Sequence, residues 1–259
     1  MFCEEFNSVI MAAKAKVKLL KTNGLGYFIS SMLAGLYVGM GIMLIFTIGG
    51  LLNSSGSTAT KIVMGASFGV ALSLVIMAGA ELFTGNNFVM TSASLSKEVK
   101  WKDTLKVWIV SFIGNLVGSI IAGAMFYAAG LAIGPVGEFI GKTSAVKMNI
   151  PFWPLLMRGI FCNILVCLAT WCSFKLKSES GKLIMIFWCL FAFITAGFEH
   201  SVANMTLLTI GLLAPSGANV SIMGYIYNIG VVTLGNMIGG AIFLALPYYI
   251  ISKKSKGVS

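Results

Sequence analysis

Charge is what this sequence has least of. Asp, Glu, Lys and Arg make up 10% of its 259 residues, against about 25% in an ordinary soluble domain. A soluble chain of this size needs far more polar surface to cover its core, which excludes a soluble enzyme, a disordered chain and a nucleic-acid-binding domain. Histidine occurs once and cysteine five times. Cys162, Cys167 and Cys172 step around a helix without converging on one face, so they suit apolar filling better than metal ligation or a disulfide framework. One histidine with scattered cysteines supplies neither a nucleophile–base set nor a ligand set, so no enzyme activity, cofactor or metal is expected. With Glu4 and Glu5 at its front, the chain shows no cleavable signal peptide.

Hydrophobic residues, at 58%, are what it has in excess. Six stretches, roughly 27–52, 62–92, 107–132, 152–174, 183–213 and 221–251, reach the length of about 20 apolar residues that crosses a bilayer. The second and fifth are long and carry polar residues in their middles. These spans sort the 18 Lys+Arg that outweigh 8 Asp+Glu. Lys14, Lys16, Lys18 and Lys21 precede the first span, and Lys97, Lys100, Lys102 and Lys106 follow the second. Lys175, Lys177 and Lys182 follow the fourth, and Lys253, Lys254 and Lys256 follow the sixth. With alternating spans all of these share one side. Lys61, Lys142 and Lys147 fall on the other, and Arg158 sits just inside span four. Cytoplasmic positive charge then puts both termini inside, in a multi-pass protein of a bacterial-type inner (plasma) membrane. The basic balance marks the lipid bilayer as partner, and no nucleic acid.

Three segments follow. In residues 1–26, Phe6, Val9, Ile10, Ala13, Val17 and Leu20 recur at helical spacing. That predicts an amphipathic cytoplasmic helix, lying on the membrane surface or packed under the protein as a plug. Residues 27–251 form the six-helix body, and 252–259 a basic cytoplasmic tail.

The body contains a repeat. Span two holds Ala78-Gly79-Ala80-Glu81, with Asn86 beyond; span five holds Ala196-Gly197-Phe198-Glu199, with Asn204 at the same distance. Span three has Gly114-Asn115-Leu116-Val117-Gly118 and span six has Gly235-Asn236-Met237-Ile238-Gly239. Met32–Gly35 and Leu156–Gly159 match more weakly. Three spans is an odd number, so the second copy enters the membrane inverted. Inverted repeats build transporters and channels with the passage between the copies. The GxxxG pairs Gly35/Gly39, Gly65/Gly69, Gly114/Gly118 and Gly235/Gly239 suit close helix packing.

Glu81 and Glu199 lie well inside their spans, where an ionisable group costs roughly 3 kcal/mol or more and must be held by the protein. Both spans are expected to break there. Thr84-Gly85-Asn86-Asn87 has turn chemistry, and His200, Ser201 and Asn204 follow Glu199. Broken helices present positive half-helix ends that suit a small anion. A carboxylate would repel that anion, so the glutamates, with Asn86 and Asn204, are read as structural acceptors of backbone N–H bonds at the breaks. His200 is either a packing histidine or a donor in the passage able to share a proton near neutral pH, with Thr84 its hydroxyl partner. Asn163 could line the passage or bond between helices. Lys147 is a solvated loop charge or an anion-attracting residue at the outer mouth.

The Phe198-Glu199-His200-Ser201-Val202-Ala203-Asn204-Met205 segment, with Glu81–Asn86, Arg158–Asn163 and Gly114–Gly118, resembles the formate/nitrite transporter family over nearly the whole chain. The resemblance implies an all-α integral membrane fold: six transmembrane helices in an aquaporin-like, inverted 3+3 repeat with helices two and five broken. It implies homopentamers with one pore per protomer, and a small monovalent anion as substrate. His200 then stands as the pore histidine, Leu82–Asn87 as the mobile break, and Lys147 and Asn163 as vestibule lysine and pore asparagine. Phe68, Leu72 and Phe193, tuned by Ile194, would form the outer constriction, and Leu82, Phe83 and Val166 the other. Among the formate, nitrite and hydrosulfide branches, the Thr84–Asn87 run and the short basic tails look most like the hydrosulfide channels, with formate and nitrite also permeant. A formate or nitrite channel, or a proton-coupled symporter, is the alternative. Lys16 on the N-terminal helix is the gating candidate.

Overall fold

A computed structural model describes residues 2–252. Among them, six helical segments are long and apolar enough to cross a membrane: Gly24–Ser54, Thr60–Met77, Trp101–Ala128, Phe152–Lys175, Glu179–Ala196 and Ile222–Ser252. Lys253, Lys254 and Lys256 lie outside the described residues.

The chain opens with α1 (Cys3–Thr22). Its apolar face, with Phe6, Val9, Ile10 and Ala13, is buried. It packs against Phe88, Met90, Ala93 and Trp171 of the protein itself. The packed arrangement therefore holds for this face. Asn23 ends α1 and caps α2 (Gly24–Ser54), its side chain accepting from the Gly26 N–H.

The second span is α3 (Thr60–Ser67), a kink at Phe68, then α4 (Gly69–Met77). The chain leaves the helix at Ala78 and resumes as α5 (Phe83–Leu95). The fifth is split likewise into α9 (Glu179–Ala196) and α10 (Ser201–Leu213). Gly79 (φ 75°) and Gly197 (φ 77°), matched in the repeat, turn the chain in the left-handed region at the two breaks. The first break lies earlier than expected. Ala78–Leu82 is non-helical, while Thr84, Gly85, Asn86 and Asn87 belong to the first turns of α5. Turn-forming side chains lose their pull on the local backbone when they bond elsewhere. Asn86 donates to Tyr27 Oη and Glu81, and Asn87 accepts from Asn163.

The remaining helices are α6 (Trp101–Ala128), α7 (Gly134–Met148), α8 (Phe152–Lys175), α11 (Ile222–Ile238) and α12 (Leu246–Ser252), the last two joined by a π-helical stretch, Gly239–Ala245. The structure corrects the repeat at one place. Asn115 of α6 donates to Ser31 O, and Asn236 of α11 donates to Gly159 O. Ser31, not Gly35, is thus the counterpart of Gly159, and the first and fourth spans align one turn away from the Met32–Gly35/Leu156–Gly159 match. The same alignment pairs α1 with α7, each a short helix leading into its half.

Lys14 pairs with Glu98, and Lys21 with Asp103 at 3.1 Å, so the N-terminal lysines and the α5–α6 loop meet at one end of the bundle. Lys147 lies in the opposite half's short helix, α7.

Candidate functional site

Each break is clamped by the asparagine of the G-N-x-x-G motif. Phe83 N–H, first of α5, donates to Asn115 Oδ1 at 2.8 Å; Asn115 Nδ2 donates to Ser31 O (2.7 Å) and Glu81 O (2.9 Å). In the other half Ser201 N–H donates to Asn236 Oδ1 at 2.9 Å, and Asn236 Nδ2 donates to Gly159 O (2.8 Å) and Glu199 O (3.0 Å). One side chain per break thus serves a helix end that the membrane interior leaves without water. Close approach makes it possible: a Cβ on Gly114 would meet Ser31, and one on Gly235 would meet Leu156 O.

The glutamates act differently from expectation. They accept from side chains, not from the backbone N–H groups of the breaks, which the asparagines take. Glu81 accepts from Lys16 Nζ with both oxygens at 2.7 Å, from Tyr27 Oη at 3.0 Å and from Asn86 Nδ2 at 3.2 Å. Glu199 accepts from Lys147 Nζ with both oxygens at 2.7 Å and from Asn204 Nδ2 at 2.6 Å. Asn204 is held in turn by Asn228. Lys16 and Lys147, assigned separate roles from the sequence, are equivalent cations of the two halves.

The breaks bring His200 and Thr84 together. His200 caps α10: its Nδ1 accepts from Ala203 N–H at 3.1 Å. Nδ1 is then unprotonated, and the proton of the neutral ring is on Nε2, 3.0 Å from Thr84 Oγ1. Thr84 sits in the first turn of α5, so the positive ends of two half-helices meet across one hydrogen bond.

Three cavities line up beside His200. One of ≈ 430 Å³ is walled by Lys16, Glu81, Asn86 and Lys182 and reaches Leu72 and Leu82. A central space of only ≈ 10 Å³ shares Leu72 and Leu82 with it, and is closed by Phe68, Val166, Phe193 and His200. The third, ≈ 290 Å³, shares Phe193 and His200 with the centre and holds Lys61, Lys147, Arg158, Ile194 and Glu199. Phe68 and Phe193 meet edge to face at 5.5 Å, and Phe193 stacks on His200 at 6.1 Å.

Against the expected site residues there are four corrections. Thr84, although bonded to His200, is fully buried and lines none of the three cavities. Leu72 belongs with Leu82 on the Lys16 side, because from mid-α4 it lines the Lys16 chamber and the central space and not the Lys147 chamber. Phe83 lines none of the three cavities; its ring packs edge to face on Phe112 at 5.3 Å. Asn163 is likewise off the passage. Its amide bonds Thr84 O, Asn87 Oδ1 and Asn236 O, tying α8 to α5 and α11. Missed by the sequence reading were Val38 and Leu190 in the central wall, Tyr27 beside Glu81, and the two clamping asparagines. The asparagines stand in the repeated G-N motif, which marks them as equivalent in the two halves but not what they bond.

An inverted pair of three-span halves, each broken at mid-membrane over a line of chambers, defines a membrane transport protein and not an enzyme. Within that class the chain belongs to the formate/nitrite transporter family, whose model matches residues 4–250. It is 39% identical to the nitrite transporter NirC of Escherichia coli over 98% of this chain and 94% of that one. It is 35% identical to a probable formate transporter of Methanothermobacter thermautotrophicus over 93% and 92%. Among solved structures it superposes on an FNT family ion channel with TM-score 0.91 and 36% identity, covering 96% of this chain and 99% of that one. A pentameric formate channel with formate bound gives TM-score 0.76 and 29% identity, covering 90% and 99%.

Proposed function

We propose that this chain conducts small monovalent anions of weak acids through the three chambers, with nitrite first and formate and hydrosulfide sharing the route. The observation that carries the reading is His200 standing in the wall between the central and outer chambers, where two half-helix N-termini converge. An anion drawn into the chamber beside Lys147 loses most of its water at the Phe68–Phe193 contact, which excludes large and multiply charged ions. His200 Nε2–H and the helix ends replace part of that water, with Thr84 behind the ring as its hydrogen-bond partner. Leu72, Leu82 and Val166 form the second apolar barrier before the chamber of Lys16 and Glu81.

Nitrite stands first because three of the relatives are nitrite transporters. The hydrosulfide preference leaned on Thr84–Asn87, and Asn86 and Asn87 there are engaged in bonds between helices. For the proton, a ring already accepting at Nδ1 and donating at Nε2 can lend one only after Nδ1 is protonated and the Ala203 bond broken. That geometry favours His200 as a donor. Replacing His200 by Asn and measuring nitrite, formate and hydrosulfide flux in proteoliposomes from pH 5 to 8 tests both parts. Flux should fall about tenfold, the loss of one donor, with the pH profile kept. A flattened profile would make His200 a proton carrier; no change at all would remove it from the mechanism.

The same reading includes a homopentamer, as in the formate channel above, with one passage per protomer. It places both termini in the cytoplasm, and gives Lys16 on α1 the inner gate.

A further inference from the structure

The outer chamber holds three cations and one carboxylate: Lys61, Lys147, Arg158 and Glu199. Lys147 is engaged by both oxygens of Glu199 at 2.7 Å, so as a pair they carry no net charge. Among the described residues no ion pair engages Arg158 or Lys61. The attraction of this chamber for an anion therefore comes from Arg158 and Lys61.

Arg158 is the sole arginine in the sequence. Its backbone is fixed at the break, since Glu199 N–H donates to Arg158 O at 3.2 Å. The side chain is exposed and lines the chamber. The Lys16 chamber has only ammonium groups, Lys16 and Lys182. A guanidinium offers two parallel N–H donors in a plane, matched to two oxygens on one atom; an ammonium is a point charge indifferent to shape.

We propose that Arg158 forms an outer-chamber binding site for planar two-oxygen anions, which captures nitrite and formate ahead of the Lys147–Glu199 pair and favours them over single-atom-centred anions such as hydrosulfide. Lys61 adds attraction without shape. The site rests on the anion-passage reading above and names the substrate class within it.

The test is initial uptake of nitrite, formate and hydrosulfide by proteoliposomes of the wild type, Arg158→Lys, Lys61→Gln and Lys142→Gln. Arg158→Lys keeps the charge and removes the fork. It should raise the half-saturating nitrite and formate concentrations about tenfold, and that for hydrosulfide by less than about twofold. Lys61→Gln should shift all three alike, an effect that added salt erases. Lys142 pairs with Glu138 outside the chamber, so Lys142→Gln should match the wild type. An Arg158→Lys protein with wild-type melting temperature that shifts all three anions equally, or none, overturns the inference alone. Wild-type vesicles that pass none of the three overturn the passage reading and the inference with it.

Discussion

At the scale of single residues, the cost of charge inside a membrane determines what each polar side chain must touch. Glu199 is 4% exposed and Lys147 17% at the side chain; Glu81 and Lys16 stand at 14% and 19%. Removing one partner of a buried pair leaves an uncompensated charge, at about 3 kcal/mol or more, whereas removing both costs much less. Lys147→Met and Glu199→Gln should each lower thermal stability in detergent, and the double variant should recover most of the loss. The same cycle on Lys16 and Glu81 should give a smaller coupling, because water reaches that pair more and Tyr27 and Asn86 still hold the carboxylate. Equal single and double losses in the Lys147–Glu199 cycle would mean that the side chains matter as packing and not as a pair.

At the scale of elements, the decisive feature is a helix that stops and restarts in the middle of the bilayer. The sequence revealed that both breaks exist, through buried glutamates beside glycines at repeat-matched positions. It located the second correctly, where Gly197 ends α9 and His200 caps α10. It misplaced the first by a few residues, because Thr84, Gly85, Asn86 and Asn87 carry local turn propensity that contacts to α2 and α8 override. Local propensity cannot report a bond to Tyr27 or Asn163, residues far away in the chain. The roles of Leu72 and Phe83, and the choice between the two readings of Asn163, were out of reach for the same reason: which face of a helix looks inward depends on the register of its neighbours. The π-helical stretch Gly239–Ala245 has no period of its own to detect, and a Cβ on Gly240 would meet Asn87 and Asn163. The clamps at the breaks make a firm prediction. Asn115→Leu and Asn236→Leu should each strand one buried N–H and the carbonyl of Glu81 or Glu199, at about 1–3 kcal/mol per group. Both variants should melt well below the wild type and lose anion flux while still inserting. Retained flux with a wild-type melting temperature would show that something else closes the helix ends.

At the scale of the whole molecule, the two halves share a design and differ in what they face. Each has a short helix from which one lysine pairs with the glutamate of the break, and an asparagine from the third span holding the break. The chambers they build are unequal in content. One is covered by α1, whose apolar face is buried on the bundle, and is walled by Lys16 and Lys182; the other carries Arg158 and Lys61. Which chamber faces the cytoplasm is set by the lysine distribution. The N-terminal lysines and the α5–α6 loop lie together at the α1 end, and translocating that many cations is disfavoured. The α1 chamber should therefore be cytoplasmic and the Arg158 chamber external. In a background with Cys3 and Cys172 changed to Ser, Ser55→Cys in the exposed α2–α3 turn should react with a membrane-impermeant maleimide on intact cells. Ser180→Cys, exposed at the start of α9, should react only after permeabilisation. The reverse pattern would turn the molecule over in the membrane and make Arg158 a cytoplasmic capture site, so the labelling decides from which side the planar anion is recognised.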